Sequence, residues 1–169
     1  MPPLRPAQNQ VRISVEVVDG RNTPLGVMDY EDVALQHLLH RSAAILLRDA
    51  AGRFLLSFQE KSGWGFSSMT PVPAGQSWET CAEITLREQW GLQTKILPIG
   101  VFPPCGENGH SFVAAFGARL PSSAVTALTD APERHLLLDY DELKGLGTHF
   151  GDMLSPYMRI VLQNGFLRP

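Results

Sequence analysis

Apolar and polar residues alternate along VRISVEVVD (11–19), the two-residue period of a strand with one face buried. GRNTPLG (20–26) reads as a turn, and Asp29 then caps a short helix through Leu39, with Asp32 at the third helical position and His37 and His40 at its close. SAAILLR (42–48) and RFLLSFQ (53–59) are nearly continuous apolar runs. The turn-like DAAG between them predicts a hairpin at the centre of the core. EKSGWGFSSMTPVPAG (60–75) is too rich in Gly, Ser and Pro for regular structure and reads as a loop. A helix follows, capped by Ser77 and ended by Gly91. LQTKILPIGVF and HSFVAAFGARL flank the turn-prone CGENG and predict a second strand pair. The tail reads as a polar loop, a helix over LDYDELKGL, and a last helix over SPYMRIVLQ. That last helix has Ser155 as cap, Pro156 at the first helical position and Gly165 as stop.

With strands early and helices interspersed, the expected fold class is α/β (α+β), a mixed sheet packed between helices. A length of 169 residues fits one domain, taken as 11–169 behind a Pro-rich lead at 1–10 expected to be flexible. The formal net charge of -3 leaves no basic footprint, which argues against nucleic acid as a partner. No apolar segment reaches the roughly 20 residues of a membrane span, and MPPLRPAQNQ lacks the apolar centre of a secretory signal. A cytoplasmic protein with two free thiols, Cys81 and Cys105, is expected. Neither GxGxxG nor GxxxxGK[ST] occurs, so the phosphate loops of the common nucleotide folds are excluded.

The stretch from Thr70 to Leu92, TPVPAGQSWETCAEITLREQWGL, carries the chemical question. Its length and Gly-Leu ending resemble the Nudix box, G-x5-E-x7-R-E-U-x-E-E-x-G-U, where U is a bulky aliphatic residue. The order of elements from Val11 to Leu162 resembles the Nudix fold, and VDGRNTPLGVMDYEDVALQHLLHRSAAILLRDAAGRFLLSFQEKSGWG resembles the subgroup related to isopentenyl diphosphate isomerase. DYDELKGL and SPYMRIVLQ are similar to the last two helices of that subgroup. The resemblance implies a Nudix-like α/β/α sandwich, and glutamates that hold Mg or Mn against a diphosphate.

Laid on this chain without gaps, the box puts Thr70 at the leading glycine, Gln76 at the first glutamate and Ile84 at the arginine. Thr85 and Gln89 replace two further glutamates, while Leu86, Glu88, Gly91 and Leu92 match. Magnesium takes hard oxygen ligands and is usually bound through one or two carboxylates besides the substrate's phosphates. Glu88 is the sole carboxylate on its side of the helix. Glu79, Glu83 and Arg87 form an i, i+4, i+8 row on another side, read as a solvated face with a Glu83–Arg87 pair worth a few tenths of a kcal/mol. The Arg-Glu pair of REQWGL lies three residues late relative to the box, about 300° around the helix.

The isomerase subgroup resembles this chain at Trp64 and His40, the latter matching a metal-binding histidine there. It needs a cysteine where Met69 stands and a histidine where Pro71 stands, and neither side chain can move the required proton. Glu107 sits near that subgroup's acidic ligands, with His110 close by. A metal site of His40, Glu107 and His110, with Cys105 beside it, competes with a simpler reading. In that reading His40 caps a helix C-terminus and the other two are hairpin residues.

Three functional expectations result. In the first, the diphosphate-hydrolysing centre is degenerate, and the protein binds a nucleotide-like or diphosphate-containing small molecule with weak or no hydrolysis. In the second, Glu88 and outside carboxylates such as Glu107, Glu133 or Glu142 support an active Mg- or Mn-dependent hydrolase of nucleoside-diphosphate derivatives. In the third, the chemistry is isomerase-like. Trp64, Phe66, Met69 and Trp90 are the candidate ligand-stacking residues, against the alternative that they complete a core. The aliphatic last helix and the apolar first strand could each bury a partner chain, and ordinary core packing explains them as well.

Overall fold

The computed structural model describes residues 12–105, 109–129 and 133–169. Strand β1 (Ser14–Val18) pairs antiparallel with β2 (Pro24–Asp29) in a two-stranded sheet. Helix α1 is Tyr30–Leu35, and the main sheet begins with β3 (His40–Arg48) and β4 (Phe54–Gln59). β5 (Gly63–Gly65), β6 (Ser68–Pro71) and α2 (Trp78–Trp90) follow, then β7 (Ile96–Phe102) and β8 (Ser111–Arg119). The chain ends with α3 (Ser122–Thr129), β9 (His135–Leu138), α4 (Tyr140–His149), a 3-10 turn at Gly151–Met153, and α5 (Pro156–Gln163).

The main sheet has seven strands in the order β5-β4-β3-β8-β7, with β6 added to β3 and β9 to β4. β3 and β8 run parallel and the other neighbours antiparallel, so the sheet is mixed as expected. β3 is central and buried on both faces, which is why its sequence is an apolar run rather than an alternation. Its even residues Ala44 and Leu46 pack with Phe66, Leu143, Tyr157 and Met158, on the side of α4 and α5. Ile45 and Leu47 pack with Cys81, Leu86 and Phe116, on the side of α2 and α3. The result is an α/β/α sandwich with a core on each face.

Helix ends follow local chemistry. Ser77 accepts from Thr80 N–H ahead of α2, and Gly91 closes that helix at φ 63 with Leu92 N–H reaching Leu86 O. Asp139 and Glu142 form a reciprocal capping box on α4, and Ser155 with Pro156 starts α5. Tyr157 then donates to Ser111 O at 2.6 Å and ties α5 to β8. In the DAAG turn, Asp49 accepts from Ala51 and Arg53 N–H and pairs with the Arg53 guanidinium at 2.7 Å. The β3–β4 hairpin stands as expected.

Several boundaries differ from the sequence expectation. Helix α1 ends at Leu35 rather than Leu39: His37 takes left-handed backbone at φ 54, and His40 opens β3 instead of capping a helix. Asp29 caps α1 by accepting from Glu31 N–H, two residues on. The turn read at 20–26 is shorter, because β2 begins at Pro24; its mostly exposed residues give no apolar alternation, and it exists through pairing with β1. The loop read at 60–75 contains β5 and β6, and the polar tail contains α3 and β9. β5 and β6 are held by backbone pairing and by Gly63, where a Cβ would meet the Met153 carbonyl. No helix among the described residues is long and apolar enough to cross a membrane.

One feature of the sheet shapes what lies above it. β3 and β4 pair only at Leu47–Leu55 and Arg48–Phe54, then part, β3 taking β6 as its neighbour while β4 takes β5 and β9. Ser67 sits in the fork, 5 % exposed, donating to Leu55 O at 2.6 Å and accepting from Leu47 N–H at 2.8 Å. One hydroxyl thus replaces the direct rung that the separating strands can no longer make. Ser67→Ala leaves both buried backbone groups unpaired, so it should lower unfolding stability by about 2–4 kcal/mol in urea titrations. A loss under about 0.5 kcal/mol would show that the fork is held some other way.

Candidate ligand-binding groove

A groove of about 510 Å3 opens over this fork, with Ser57, Ser67 and Ser68 at its base, Gln89 and Trp90 from α2, and α3 with His135 opposite. Ser68 is one of the alternate β6 residues that face α2; Thr70 is the next. Trp90 Nε1 donates to Ser68 Oγ at 2.7 Å, and Ser68 Oγ donates to Gln89 Oε1 at 2.7 Å. An indole N–H only donates, so the serine must spend its own proton on the glutamine carbonyl. This directs the Gln89 amide –NH2 away from Ser68.

A second chain lies alongside. Ser57 Oγ donates to Ser67 O at 3.0 Å and sits 3.3 Å from His135 Nδ1. With the Ser57 proton committed to a carbonyl, Nδ1 is the protonated nitrogen and Nε2 keeps its lone pair. Burial holds the His135 pKa below the ordinary histidine value; Arg134 lowers it further and Glu133 opposes both. His135 is therefore a neutral imidazole at pH 7. Its ring centroid lies 5.8 Å from that of Trp90, tilted by 60°. Among the described residues, no Asp, Glu, Lys or Arg lines the groove.

The positions aligned with the box can now be placed. Thr85 is 5 % exposed and its hydroxyl lies 3.4 Å from that of Thr70, a long hydrogen bond between α2 and β6. Gln89 is held by Ser68, while Ile84 is half-buried and Gln76 sits half-buried in the turn before α2. Glu88 is exposed, and no group of three or more His, Cys, Asp or Glu residues suited to a metal ion occurs among the described residues. Glu79, Glu83 and Arg87 form a solvated face as expected, but Glu83 and Arg87 do not close into an ion pair. Cys81 is buried, its thiol pKa raised by burial, as befits a packing residue.

Trp64, Phe66 and Met69 lie apart from this groove. Trp64 is on strand β5, packed edge-on against Phe58 at 5.2 Å and joined to the core beside α4 and α5. It borders a separate hollow of about 500 Å3 with Lys61 and Arg159. Phe66 is 3 % exposed within that same core, where it packs. Met69 falls between Ser68 and Thr70 in β6, out of phase with both, and its side chain points away from α2.

The histidines are brought together at the other end of the sheet. His40 is 3 % exposed, its Nδ1 3.0 Å from Leu38 O, and its N–H donates to His110 O. His110, in left-handed backbone at φ 62, places its ring 5.2 Å from His37, and its Nδ1 is buried without a hydrogen-bond partner. Burial lowers the His40 pKa, the Leu38 carbonyl raises it, and His110 lowers it. Glu107, the acidic member of the expected metal site, lies outside the described residues. Sequence reasoning missed Ser57, Ser68 and His135 as site residues, since each meets its partners only through the pairing of distant strands or the packing of α2 on the sheet.

Comparison with solved structures places the fold. The chain superposes on DR0079 from Deinococcus radiodurans, described as a hypothetical Nudix protein, with a TM-score of 0.66, covering 89% of this chain and 98% of that one at 17% identity. It also superposes on a mutT/nudix family protein from Listeria innocua with a TM-score of 0.60, covering 75% of this chain and 90% of the other at 21% identity. The fold is the Nudix fold. No protein-family model matches the chain, and no curated protein does. What is shared is architecture, and the side chains at the site must speak for themselves.

The depressed pKa values of His40 and His135 predict a pH dependence. Between their native values and the ordinary 6.5, the unfolded chain binds more protons than the native one, so stability falls as pH drops below about 6.5. Titration of the imidazole carbons by NMR should put both histidines below 6.5; a value at or above it for either would refute the assigned burial effect.

Proposed function

We propose that this Nudix-fold protein is a small-molecule binder whose diphosphate-hydrolysing centre is degenerate. Its ligand is nucleotide-like or contains a diphosphate, and hydrolysis is weak or absent. The observation that carries this reading is the use made of two box positions that hold glutamates elsewhere. Thr85 faces Thr70, and Gln89 is bonded to Ser68, so both act as neutral links between α2 and β6. Glu88 stays exposed as a single carboxylate. A magnesium or manganese ion held against a diphosphate needs a convergent set of hard oxygen donors, and this set does not fit one.

Further support comes from the lining of the groove, which among the described residues is hydrogen-bonded but carries no charged side chain to polarise a phosphoryl oxygen. The isomerase-like alternative draws nothing from the geometry. Met69 faces away from α2, and Pro71 has no side-chain donor.

The experiment is a hydrolysis panel of nucleoside diphosphate derivatives and isoprenyl diphosphates with Mg2+ or Mn2+, run on the wild type and Glu88→Gln. We expect no metal-dependent turnover above the level of the variant. Turnover by the wild type that is lost in Glu88→Gln would mean that Glu88 still organises a metal centre, and this reading would fall.

A further inference from the structure

The two hydrogen-bond chains in the groove have a direction, and the direction defines what the groove offers. In the first, the proton order runs from Trp90 Nε1 to Ser68 to Gln89 Oε1, which leaves the Gln89 –NH2 as a pair of unspent donors. In the second, it runs from His135 Nδ1 to Ser57 to the Ser67 carbonyl, which leaves His135 Nε2 as an acceptor. Donor and acceptor belong to residues that line one groove of about 510 Å3. The Trp90 ring is fixed beside them by its bond to Ser68, and Leu128 supplies apolar wall.

Charge narrows the ligand. A diphosphate brings two or more negative charges, and placing them against a lining without a cation or a set of convergent donors is unfavourable. Among the described residues, this groove contains no Lys or Arg, and His135 is the one titratable residue that lines it. A flat uncharged ring meets no such penalty. It can lie against Trp90 while its edge satisfies the glutamine and the histidine.

We infer that the groove binds an uncharged nucleobase by an edge that sets a carbonyl oxygen beside a ring N–H. The carbonyl accepts from the Gln89 amide and the N–H donates to His135 Nε2, with no metal ion involved. This rests on the binding reading above and specifies which part of a nucleotide-like ligand is held. Gln89, at a position where the Nudix box has a glutamate, becomes a specificity residue because only the amide presents donors to the groove while still accepting from Ser68. A glutamate there would accept on both sides.

Isothermal titration calorimetry on the full chain tests this, using uridine, inosine, 3-methyluridine and uridine diphosphate, each in EDTA and in excess Mg2+. Uridine and inosine should bind equally well in both buffers, and the diphosphate should gain nothing from its charge. 3-Methyluridine, which lacks the N–H, should bind about tenfold more weakly, as should uridine to Gln89→Glu or His135→Phe. Gln89 is largely exposed, so Gln89→Glu is expected to fold, and an unchanged melting temperature checks this. The inference is overturned if neither uridine nor inosine binds, if 3-methyluridine binds as well as uridine, or if binding needs the diphosphate and Mg2+. Failure of the underlying reading has a separate signature, turnover lost in Glu88→Gln.

Discussion

A single serine hydroxyl at the point where two strands part holds the rest of this architecture in place. Strands β3 and β4 leave their short hairpin and diverge, because β3 must accept β6 on the edge that β4 vacates. A diverging pair would expose backbone groups inside a core, where an unpaired amide or carbonyl is costly. Ser67 satisfies one of each. With the fork secured, β4 takes β5 on the edge that β3 leaves and β9 along its other edge, while β6 stays under α2. The space between these arms is the groove.

The same event explains why the groove is polar where the strands part. Ser57, Ser67 and Ser68 are short enough to sit where strands separate, and each hydroxyl bonds to a backbone group or to a neighbouring side chain. Gln89 and Trp90 are then recruited from α2 as partners of Ser68. The end of α2 is thereby clamped to the sheet. An amide at Gln89 accepts from Ser68 and keeps a donor, where a carboxylate would only accept.

The histidines show how differently one residue type is used. His135 keeps a defined tautomer because Ser57 is already committed. His40 is buried at the start of β3 between the Leu38 carbonyl and the Tyr30 ring. His37 and His110 occupy left-handed backbone that non-glycine residues seldom adopt, with their rings in contact. Their shared position arises where the α1 connection and the turn before β8 meet.

Much of the frame was legible in residue order alone. The apolar runs of β3, β4 and β8, the Ser77 and Ser155 caps, and the glycine at the end of α2 are local signals, because burial period and cap chemistry act within a few residues. β2, β5, β6 and β9 were hidden, since short or exposed strands exist through partners distant in the chain and carry little pattern of their own. The groove was hidden for the same reason: Ser57 and His135, 78 positions apart, are brought together by the β4–β9 pairing, and Ser68 and Trp90, 22 positions apart, by the packing of α2 on the sheet. Sequence determined which chemical groups are present and which are missing; only tertiary structure decided which of them face one another, because hydrogen-bond direction depends on neighbours in space.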